Sequence, residues 1–356
     1  MDSVVGDCRT FSLGHRMVGA GCPCFVIAEA GVNHNGSLDM AMRLVDAAAS
    51  AGVDAVKFQT FRADKIVTPD APKARYQMGT TEDTESQLDM LRRLELDSAA
   101  YRALAQRCAE IGLVFLSTPF DEESADLLEA IGVPAFKVPS GELTNLSFLS
   151  YLARKGLPLI ISTGMATLEE VRAAVDAVQC AGCHRFAILH CVSNYPADPG
   201  DVNLRAMASM AAAFGVPVGY SDHTLGNEVS FAAVAMGACV IEKHLSLDRS
   251  LPGPDHRSSS EPEELASLVA GIRAIEAALG DGEKRPAASE NETARVARRS
   301  LVAARIIPAG AILTADMVVN RRPGTGMAPA RLGELTGRRA HGDIAEGTVL
   351  APEMFE

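Results

Sequence analysis

From Phe25 to about Gly280 the chain repeats one pattern: a short apolar run rich in β-branched residues, then a longer stretch with apolar residues at helical spacing. The short runs predict eight strands, at 25–29, 55–59, 114–117, 135–138, 159–162, 186–191, 216–220 and 239–244. The longer stretches predict eight helices, at 38–50, 98–111, 122–131, 146–153, 168–178, 204–214, 228–236 and 262–279. Strands and helices that alternate eight times predict the α/β class and a (β/α)8 barrel.

A doubly wound open sheet is the structural alternative for this pattern. It would need a glycine-rich turn after the first strand to seat a nucleotide phosphate. The sequence EAGVNHNG at 29–36 is not that fingerprint. The pattern therefore favours the barrel.

The pattern changes after the last predicted helix. Residues 281–299 are polar and predict a linker, and residues 300–356 contain short apolar pieces divided by Pro-Gly turns, which predict a small β-rich domain. A domain of this size is marginally stable alone and is expected to dock on another surface. The first 24 residues predict a hairpin that covers one end of the barrel, so the expected domains are 1–280 and 300–356.

The composition excludes several classes of function. With 33 Lys and Arg against 45 Asp and Glu, the net charge of −12 argues against nucleic-acid binding. The sequence has no apolar run of the roughly 18 residues that a membrane span needs. The N-terminus is polar, and the eight cysteines lack zinc-ribbon spacing, so a cytoplasmic protein with reduced thiols is expected.

Polar residues lie at the carboxyl ends of nearly all the predicted strands, where a barrel places its active site. Lys57 and Lys137 are the most informative, because each lies inside an apolar strand where an unpaired lysine costs several kcal/mol. Two lysines that converge in one barrel mouth predict an anion site, with phosphate the usual ligand. The alternative is that they pair with Glu29 or Glu142.

His223 and His244 end the seventh and eighth strands, which are neighbours in a barrel. Two imidazoles with carboxylates nearby, here Glu29, Glu242 and Asp255, suit a divalent metal ion with open coordination positions. His190 is a competing candidate, and it could instead be a hydrogen-bonded histidine at a strand end.

The motifs in these positions resemble those of the sialic acid synthases. They are IAEAGVNHNG at 27–36, VKFQ at 56–59, FLSTPF at 115–120, FKVPSGE at 136–142, STGM at 162–165, YSDHT at 220–224, EKH at 242–244 and PGPD at 252–255. The sequences SLVA at 300–303, IPAG at 307–310 and RRPGTG at 321–326 resemble the antifreeze-like (SAF) domain of the same enzymes. The resemblance covers roughly residues 20–356.

The resemblance implies a phosphoenolpyruvate-dependent synthase. It would condense phosphoenolpyruvate with an N-acetylated hexose of the N-acetylmannosamine type, giving N-acetylneuraminate and phosphate. A divalent ion is implied, Mn²⁺ first and Mg²⁺ or Co²⁺ as alternatives. A domain-swapped homodimer is also implied, in which Arg322 reaches the barrel of the partner subunit.

The resemblance also assigns roles to residues by motif position. The expected phosphoenolpyruvate contacts are Lys57, Thr118, Lys137, Ser140, Asn194, Tyr195 and Ser221. The expected metal ligands are His223 and His244, the sugar contacts are Glu29, Gln59 and Asp255, and the acid/base candidate is Glu142. Asn194 and Tyr195 are adjacent here, whereas some members separate them by one residue, and adjacent loop side chains usually diverge.

Three other functions compete with this one. A synthase for the related N,N'-diacetyllegionaminic acid would take a diacetylated 6-deoxyhexose instead. A Schiff-base aldolase would use one desolvated lysine as the nucleophile, although two lysines among several hydroxyls favour an anion site. A sugar-binding protein without catalysis is the third, and the polar residues at the strand ends argue against it.

Overall fold

The computed structural model describes residues 10–74, 81 and 85–356, and it divides into two compact units, Met1–Gly280 and Asp281–Glu356. The first unit contains a two-stranded hairpin and an eight-stranded parallel sheet. The hairpin consists of β1 (Thr10–Leu13) and β2 (Arg16–Gly19). The sheet strands are β3 (Phe25–Gly31), β4 (Ala55–Thr60), β5 (Val114–Pro119), β6 (Phe136–Val138), β7 (Leu159–Ser162), β8 (Phe186–Cys191), β9 (Val218–Asp222) and β10 (Val240–His244).

The sheet is a nearly closed barrel, which confirms the predicted fold class. Its hydrogen-bonded order is β5-β4-β3-β10-β9-β8-β7-β6, and the end strands β5 and β6 are spatial neighbours. Each of the eight predicted strands is present, with ends shifted by at most two residues. Parallel strands buried on both faces need continuous apolar runs, and these runs are what the sequence shows.

Helices follow the barrel strands as predicted. They are α1 (Leu38–Ala51), α4 (Ser98–Glu110), α5 (Glu122–Ile131), α6 (Leu146–Arg154), α7 (Leu168–Cys180), α8 (Ala206–Phe214), α9 (Glu228–Ala235) and α10 (Pro262–Leu279). The connection after β4 adds two helices that the sequence pattern did not predict, α2 (Ala63–Ile66) and α3 (Gln87–Leu94).

The barrel interior follows the two-residue period of a strand. In β4 the outward residues Val56 and Phe58 pack in the helix-facing core, whereas Ala55 packs inside the barrel. The interior apolar cluster also contains Phe11 and Val18 of the β1–β2 hairpin, which therefore plugs the amino-terminal end of the barrel. Residues 1–9 of the predicted hairpin region lie outside the described residues. Because this end is filled with apolar side chains, the other end is available for chemistry.

The second unit is small and rich in turns. It contains α11 (Asn291–Ala297), β11 (Ser300–Ala303), β12 (Val318–Arg321) and α12 (Leu332–Leu335), and β11 pairs antiparallel with β12. Its own core includes Leu301, Ile307, Leu313 and Leu350. The second half of the predicted linker is the helix α11, which is hydrogen-bonded to this unit through Gly324 N–H and the Arg295 carbonyl at 2.7 Å.

Candidate active site

A cavity of about 400 Å³ opens at the carboxyl end of the barrel. The floor of the cavity consists of inward-facing strand residues. Beyond the apolar layer inside the barrel, these inward residues are polar on nearly every strand. Most of the predicted site residues line the cavity: Glu29, Lys57, Gln59, Thr118, Lys137, Ser140, Tyr195, Ser221, His223, His244 and Asp255. The structure thus brings together side chains that are up to 226 positions apart, from Glu29 to Asp255.

Three predicted residues are not among the described residues that line this cavity. Glu142 lies on the short 3-10 turn Ser140–Glu142, and its carboxylate accepts a hydrogen bond of 2.8 Å from the Asn145 side chain. Asn194 is exposed beside Tyr195, so the two adjacent loop side chains diverge. Arg322 belongs to the second unit, where its Nε donates to the Ala297 carbonyl at 2.9 Å.

Two lysines and two glutamates form an ionic cluster on the cavity floor. Lys57 is ion-paired with Glu29, and its Nζ also lies 3.7 Å from Glu242 Oε2. Lys137 Nζ lies 3.7 Å from Glu242 Oε1, so Glu242 lies between the two lysines. Of the pairings weighed from the sequence, Lys57 with Glu29 is present, whereas the carboxylate beside Lys137 is Glu242 and not Glu142.

Glu242 is the member of the ionic cluster that sequence reasoning missed, since it was considered only as a carboxylate near the metal candidates. The signal that was missed is the alternation of side chains along β10. Glu242 and His244 share the inward face of the strand, and Lys243 lies on the outward face. Lys243 forms a separate buried ion pair with Asp222, at 2.8 Å.

Hydroxyl groups complete the hydrogen bonding of the lysines. Lys57 donates to Thr118 Oγ1 at 3.1 Å, and Lys137 donates to Ser162 Oγ at 2.6 Å. Ser221 donates to Glu242 Oε1 at 2.9 Å. An entering phosphate or carboxylate can exchange into this network, because the ammonium and hydroxyl groups both donate hydrogen bonds to its oxygens, the ammonium groups more strongly.

The electrostatics of the cluster follow from burial and pairing. Burial opposes charge on Lys57, but Glu242 and Glu29 outweigh it and raise its pKa. Burial lowers the pKa of Lys137. Burial would raise the pKa of Glu242, yet Lys137 and Lys57 hold it below its usual value. Glu242 is therefore an ionised countercharge that both buried lysines share, and Glu29 is a second one for Lys57.

A small hydroxyl-lined corner adjoins Lys137. Gly164 N–H donates to Ser140 Oγ at 3.0 Å, and that hydroxyl lies 3.1 Å from Cys191 Sγ. A Cβ on Gly164 would lie 2.3 Å from Ser193 Oγ and 2.8 Å from both Cys191 Sγ and Ser140 Oγ. Glycine at position 164 is thus required by close approach, and the space it leaves is bounded by polar groups.

His223 and His244 lie side by side, with ring centroids 5.4 Å apart, and Tyr195 packs on both rings. His223 Nδ1 lies 2.6 Å from the Val192 carbonyl, so Nδ1 carries the proton and Nε2 keeps its lone pair. Among the described residues, His244 Nδ1 is buried without a hydrogen-bond partner. Burial lowers the pKa of both rings, which keeps the imidazoles neutral.

This donor set fits a divalent ion with open positions. Within residues 10–74, 81 and 85–356, no group of three or more His, Cys, Asp and Glu residues is placed to hold a metal. An ion here would take two protein ligands and fill its other positions with substrate or water oxygens. The competing His190 is engaged elsewhere, since its Nε2 lies 2.5 Å from the Val202 carbonyl.

Asp255 is positioned by a clamp between the first and last barrel loops. Asn33 Nδ2 donates to the Leu245 carbonyl at 2.9 Å and to Ser259 Oγ at 2.8 Å, and Ser259 Oγ donates to the Asp255 carbonyl at 2.7 Å. Burial and the nearby Glu29 raise the pKa of Asp255 to about 7. The side chain of Asp255 therefore lines the cavity as a buried carboxyl whose backbone is held by hydrogen bonds.

Comparison with known protein families identifies the chain. The model of the NeuB family matches residues 44–284, and the SAF domain model matches residues 298–356. This chain belongs to the NeuB family. The assignment confirms the resemblance to the sialic acid synthases, and with it the prediction of a synthase with a C-terminal SAF domain.

Individual relatives cover nearly the whole NeuB chain. The N,N'-diacetyllegionaminic acid synthase of Legionella pneumophila is 47% identical over 347 residues, 96% of this chain and 98% of the relative. The enzyme of the same name from Campylobacter jejuni is 46% identical, over 91% of this chain and 98% of the relative. The N-acetylneuraminic acid synthetase structure from Leptospira borgpetersenii is 36% identical, with a TM-score of 0.71 over 80% of this chain and 94% of that chain.

Across the described parts of the chain, no helix is both long and apolar enough to cross a bilayer.

Proposed function

We propose that this NeuB-family protein condenses phosphoenolpyruvate with a diacetylated 6-deoxyhexose, giving N,N'-diacetyllegionaminic acid and phosphate. The observation that carries the phosphoenolpyruvate part is the pair of buried lysines, Lys57 and Lys137, in one cavity with the two neutral imidazoles. The acceptor is supported by relatives at 47% and 46% identity that are N,N'-diacetyllegionaminic acid synthases.

The acceptor first inferred from the sequence, N-acetylmannosamine, is the second candidate. The N-acetylneuraminic acid synthetase of Leptospira borgpetersenii supports it at 36% identity. The higher identity to the two legionaminic acid synthases favours the diacetylated sugar, which the sequence analysis had ranked below N-acetylmannosamine.

In the proposed reaction, Lys57 and Lys137 bind the phosphate and carboxylate groups of phosphoenolpyruvate, helped by the hydroxyls of Thr118 and Ser162. Fixed in this way, the methylene carbon lies near the aldehyde of the open-chain sugar and attacks it. Water then adds at C2, and phosphate leaves with cleavage of the C–O bond to give the 2-keto acid. The buried lysine cluster stabilises the charge on the departing phosphate.

His223 and His244 would hold a divalent ion, Mn²⁺ first and Mg²⁺ or Co²⁺ next. When bound, such an ion supplies Lewis-acid polarisation of an oxygen. Glu29 and Asp255 face the same cavity, and Gln59 Nε2 donates to Glu29 Oε1 at 3.0 Å, which orients that carboxylate. We propose that these three side chains form hydrogen bonds with the sugar hydroxyls. Glu142 stays a predicted acid/base group.

Phosphate release from phosphoenolpyruvate tests the proposal. The purified protein is incubated with Mn²⁺ and either 2,4-diacetamido-2,4,6-trideoxymannose, N-acetylmannosamine or no acceptor. We expect fast release only with an acceptor, fastest with the diacetylated sugar, together with a product of the mass of the nine-carbon acid. If neither sugar caused phosphate release, the proposal would be contradicted. Borohydride trapping of pyruvate on a lysine would support an aldolase instead.

A further inference from the structure

One side of the active-site cavity is apolar, and neither the anion cluster nor the histidine pair accounts for it. We call this side the apolar wall. It consists of Val32, Phe61, Ile66, Met90, Leu91 and Leu94, which line the cavity and pack in one hydrophobic cluster apart from the barrel core. The other side carries the ionic cluster and the imidazoles. The cavity is therefore divided into a charged part and an apolar part.

Helix α3 supplies half of the apolar wall by its periodicity. Its cavity-lining residues are Gln87, Met90, Leu91 and Leu94, at the i, i+3, i+4, i+7 spacing of one helix face. The other face carries Arg92, which is half-exposed. Its Nη2 forms an ion pair with Asp64 Oδ1 at 2.7 Å. The helix thus turns one apolar stripe toward the cavity.

The apolar wall is held in place by contacts among the loops at this end of the barrel. Phe61 and Phe120 meet edge to face at 6.0 Å, and the backbone N–H of Ala63 donates to Glu95 Oε1 at 2.6 Å. A Cβ on Gly36 would lie 2.3 Å from the carbonyl of Arg93, so the first barrel loop packs directly against the end of α3. These contacts fix the position of the apolar surface relative to the cavity.

The described residues do not cover all of this surface. Met90 and Phe61 are buried, but Ile66 and Leu91 are only partly buried and face the cavity. Hydroxyl groups gain nothing from such a surface, whereas methyl groups are stabilised when they leave water to contact it. The surface therefore fits a substrate that presents several methyl groups along one edge.

We infer that the apolar wall binds the methyl groups of the acceptor sugar and selects for them, with Ile66 and Leu91 as specificity-determining residues. This inference rests on the proposed function. A 2,4-diacetamido-6-deoxyhexose carries three methyl groups, two on the acetamido groups and one at C6. N-acetylmannosamine carries one methyl group, and its C6 hydroxyl would lose hydrogen bonds to water against this surface.

The test measures specificity as the ratio of kcat/KM for the diacetylated sugar to kcat/KM for N-acetylmannosamine. The variants Leu91→Asn and Ile66→Asn place an amide on the apolar wall. Each is expected to lower the ratio by about tenfold, in the range that a pocket gains from a methyl group. The KM for phosphoenolpyruvate should stay within about twofold, because the lysines are unchanged.

Two controls separate specificity from general damage. Arg92→Gln alters the opposite face of the same helix and should leave the ratio unchanged. Leu91→Met keeps an apolar side chain of similar volume and should keep the wild-type ratio. If Leu91→Asn does not fold, Ile66→Asn is measured in its place, since Ile66 lies on the separate helix α2.

The possible outcomes distinguish the inference from the function on which it rests. No phosphate release with the diacetylated sugar by the wild type would contradict the proposed function. Turnover of that sugar with a wild-type ratio near one, or with a ratio that neither Asn variant changes, would overturn the role of the apolar wall and leave the function standing. A ratio that falls in the Asn variants and not in the control variants supports both the proposed function and the role of the apolar wall.

Discussion

The charge balance of the active site depends on single residues. Lys137 is buried, donates to Ser162 and lies close to Glu242, whose negative charge it shares with Lys57. A buried charge needs a partner, so each of these residues holds the others in place. Phosphoenolpyruvate would bring further negative charge to the side where the lysines donate.

Replacing Lys137 with Met is expected to weaken phosphoenolpyruvate use. The loss of one buried charge-assisted contact costs about 2–4 kcal/mol, or roughly 30- to 900-fold in kcat/KM for phosphoenolpyruvate. Sugar KM should change much less. Lys65→Met is the matched control, because Lys65 is an exposed lysine paired with Glu123. A shift in sugar KM alone would reverse the assignment.

Removing either imidazole of the histidine pair should remove metal binding. We expect His223→Ala and His244→Ala to lose high-affinity Mn²⁺ binding in a titration followed by electron paramagnetic resonance, and to lose activity with it. His190→Gln is the control, since His190 bonds to the Val202 carbonyl. This variant should bind Mn²⁺ as tightly as the wild type does. Unchanged binding in both alanine variants would place the ion elsewhere.

The sequence predicts which residues belong to the candidate site better than it predicts which of them pair with each other. A lysine inside an apolar strand needs a partner, which singles out Lys57 and Lys137 as candidate site residues from the sequence alone. The role of Glu242 could not be read in the same way, because it depends on which strand ends meet across the barrel. The divergence of Asn194 from Tyr195 was expected, whereas the hydrogen bond between Glu142 and Asn145 depends on a loop conformation that periodicity does not encode.

At the scale of elements, the eight strands and their helices follow from hydrophobic periodicity, because long buried runs leave few other folds. Helices α2 and α3 were missed because they are short, with 4 and 8 residues. Short helices owe most of their stability to packing and not to propensity. The stripe at Met90, Leu91 and Leu94 was visible in the sequence, but its contacts with Phe61 come from tertiary structure.

The strands β9 and β10 are joined outside the cavity by a buried ion pair. Lys243 donates to Asp222 Oδ2 at 2.8 Å and to the carbonyls of Thr224 and Gly226 at 2.6 and 2.8 Å, and Ser230 donates to the same carboxylate at 2.6 Å. Each partner immediately adjoins one histidine of the pair. The ion pair therefore fixes the two strand ends that carry His223 and His244.

Lys243→Met should lower the free energy of unfolding by about 3–5 kcal/mol, because it leaves the buried Asp222 carboxylate without its cation. Urea unfolding measures the change. Lys65→Met is the control, since Lys65 and its partner Glu123 are both exposed and the substitution should cost about 1 kcal/mol or less. A cost equal to that of the control would mean that the pair does not stabilise the strand ends.

At the scale of the whole molecule, we propose that the second unit acts in a domain-swapped homodimer, as the family resemblance implies. Arg322 is exposed on this unit, and its planar guanidinium suits the amide and hydroxyl oxygens of a sugar. The proposed role is to complete the sugar site of the partner subunit.

Complementation tests this role. Arg322→Ala subunits and His223→Ala subunits should each be weakly active alone. If Arg322 acts in trans, a mixed dimer has one site with both defects and one site with neither, so activity returns after subunit exchange. Arg321→Ala, which removes the neighbouring arginine, is the control partner. A mixture that stays inactive despite demonstrated exchange would mean that Arg322 acts within its own subunit or not at all.

The central claim is that phosphoenolpyruvate loses phosphate by C–O cleavage as it joins the sugar. The most direct measurement uses phosphoenolpyruvate with ¹⁸O in the bridging position, the diacetylated sugar, and mass spectrometry of the released phosphate. We predict that the phosphate retains the ¹⁸O and forms in a one-to-one ratio with the nine-carbon acid. Unlabelled phosphate, or phosphate released with pyruvate when no sugar is present, would contradict the account.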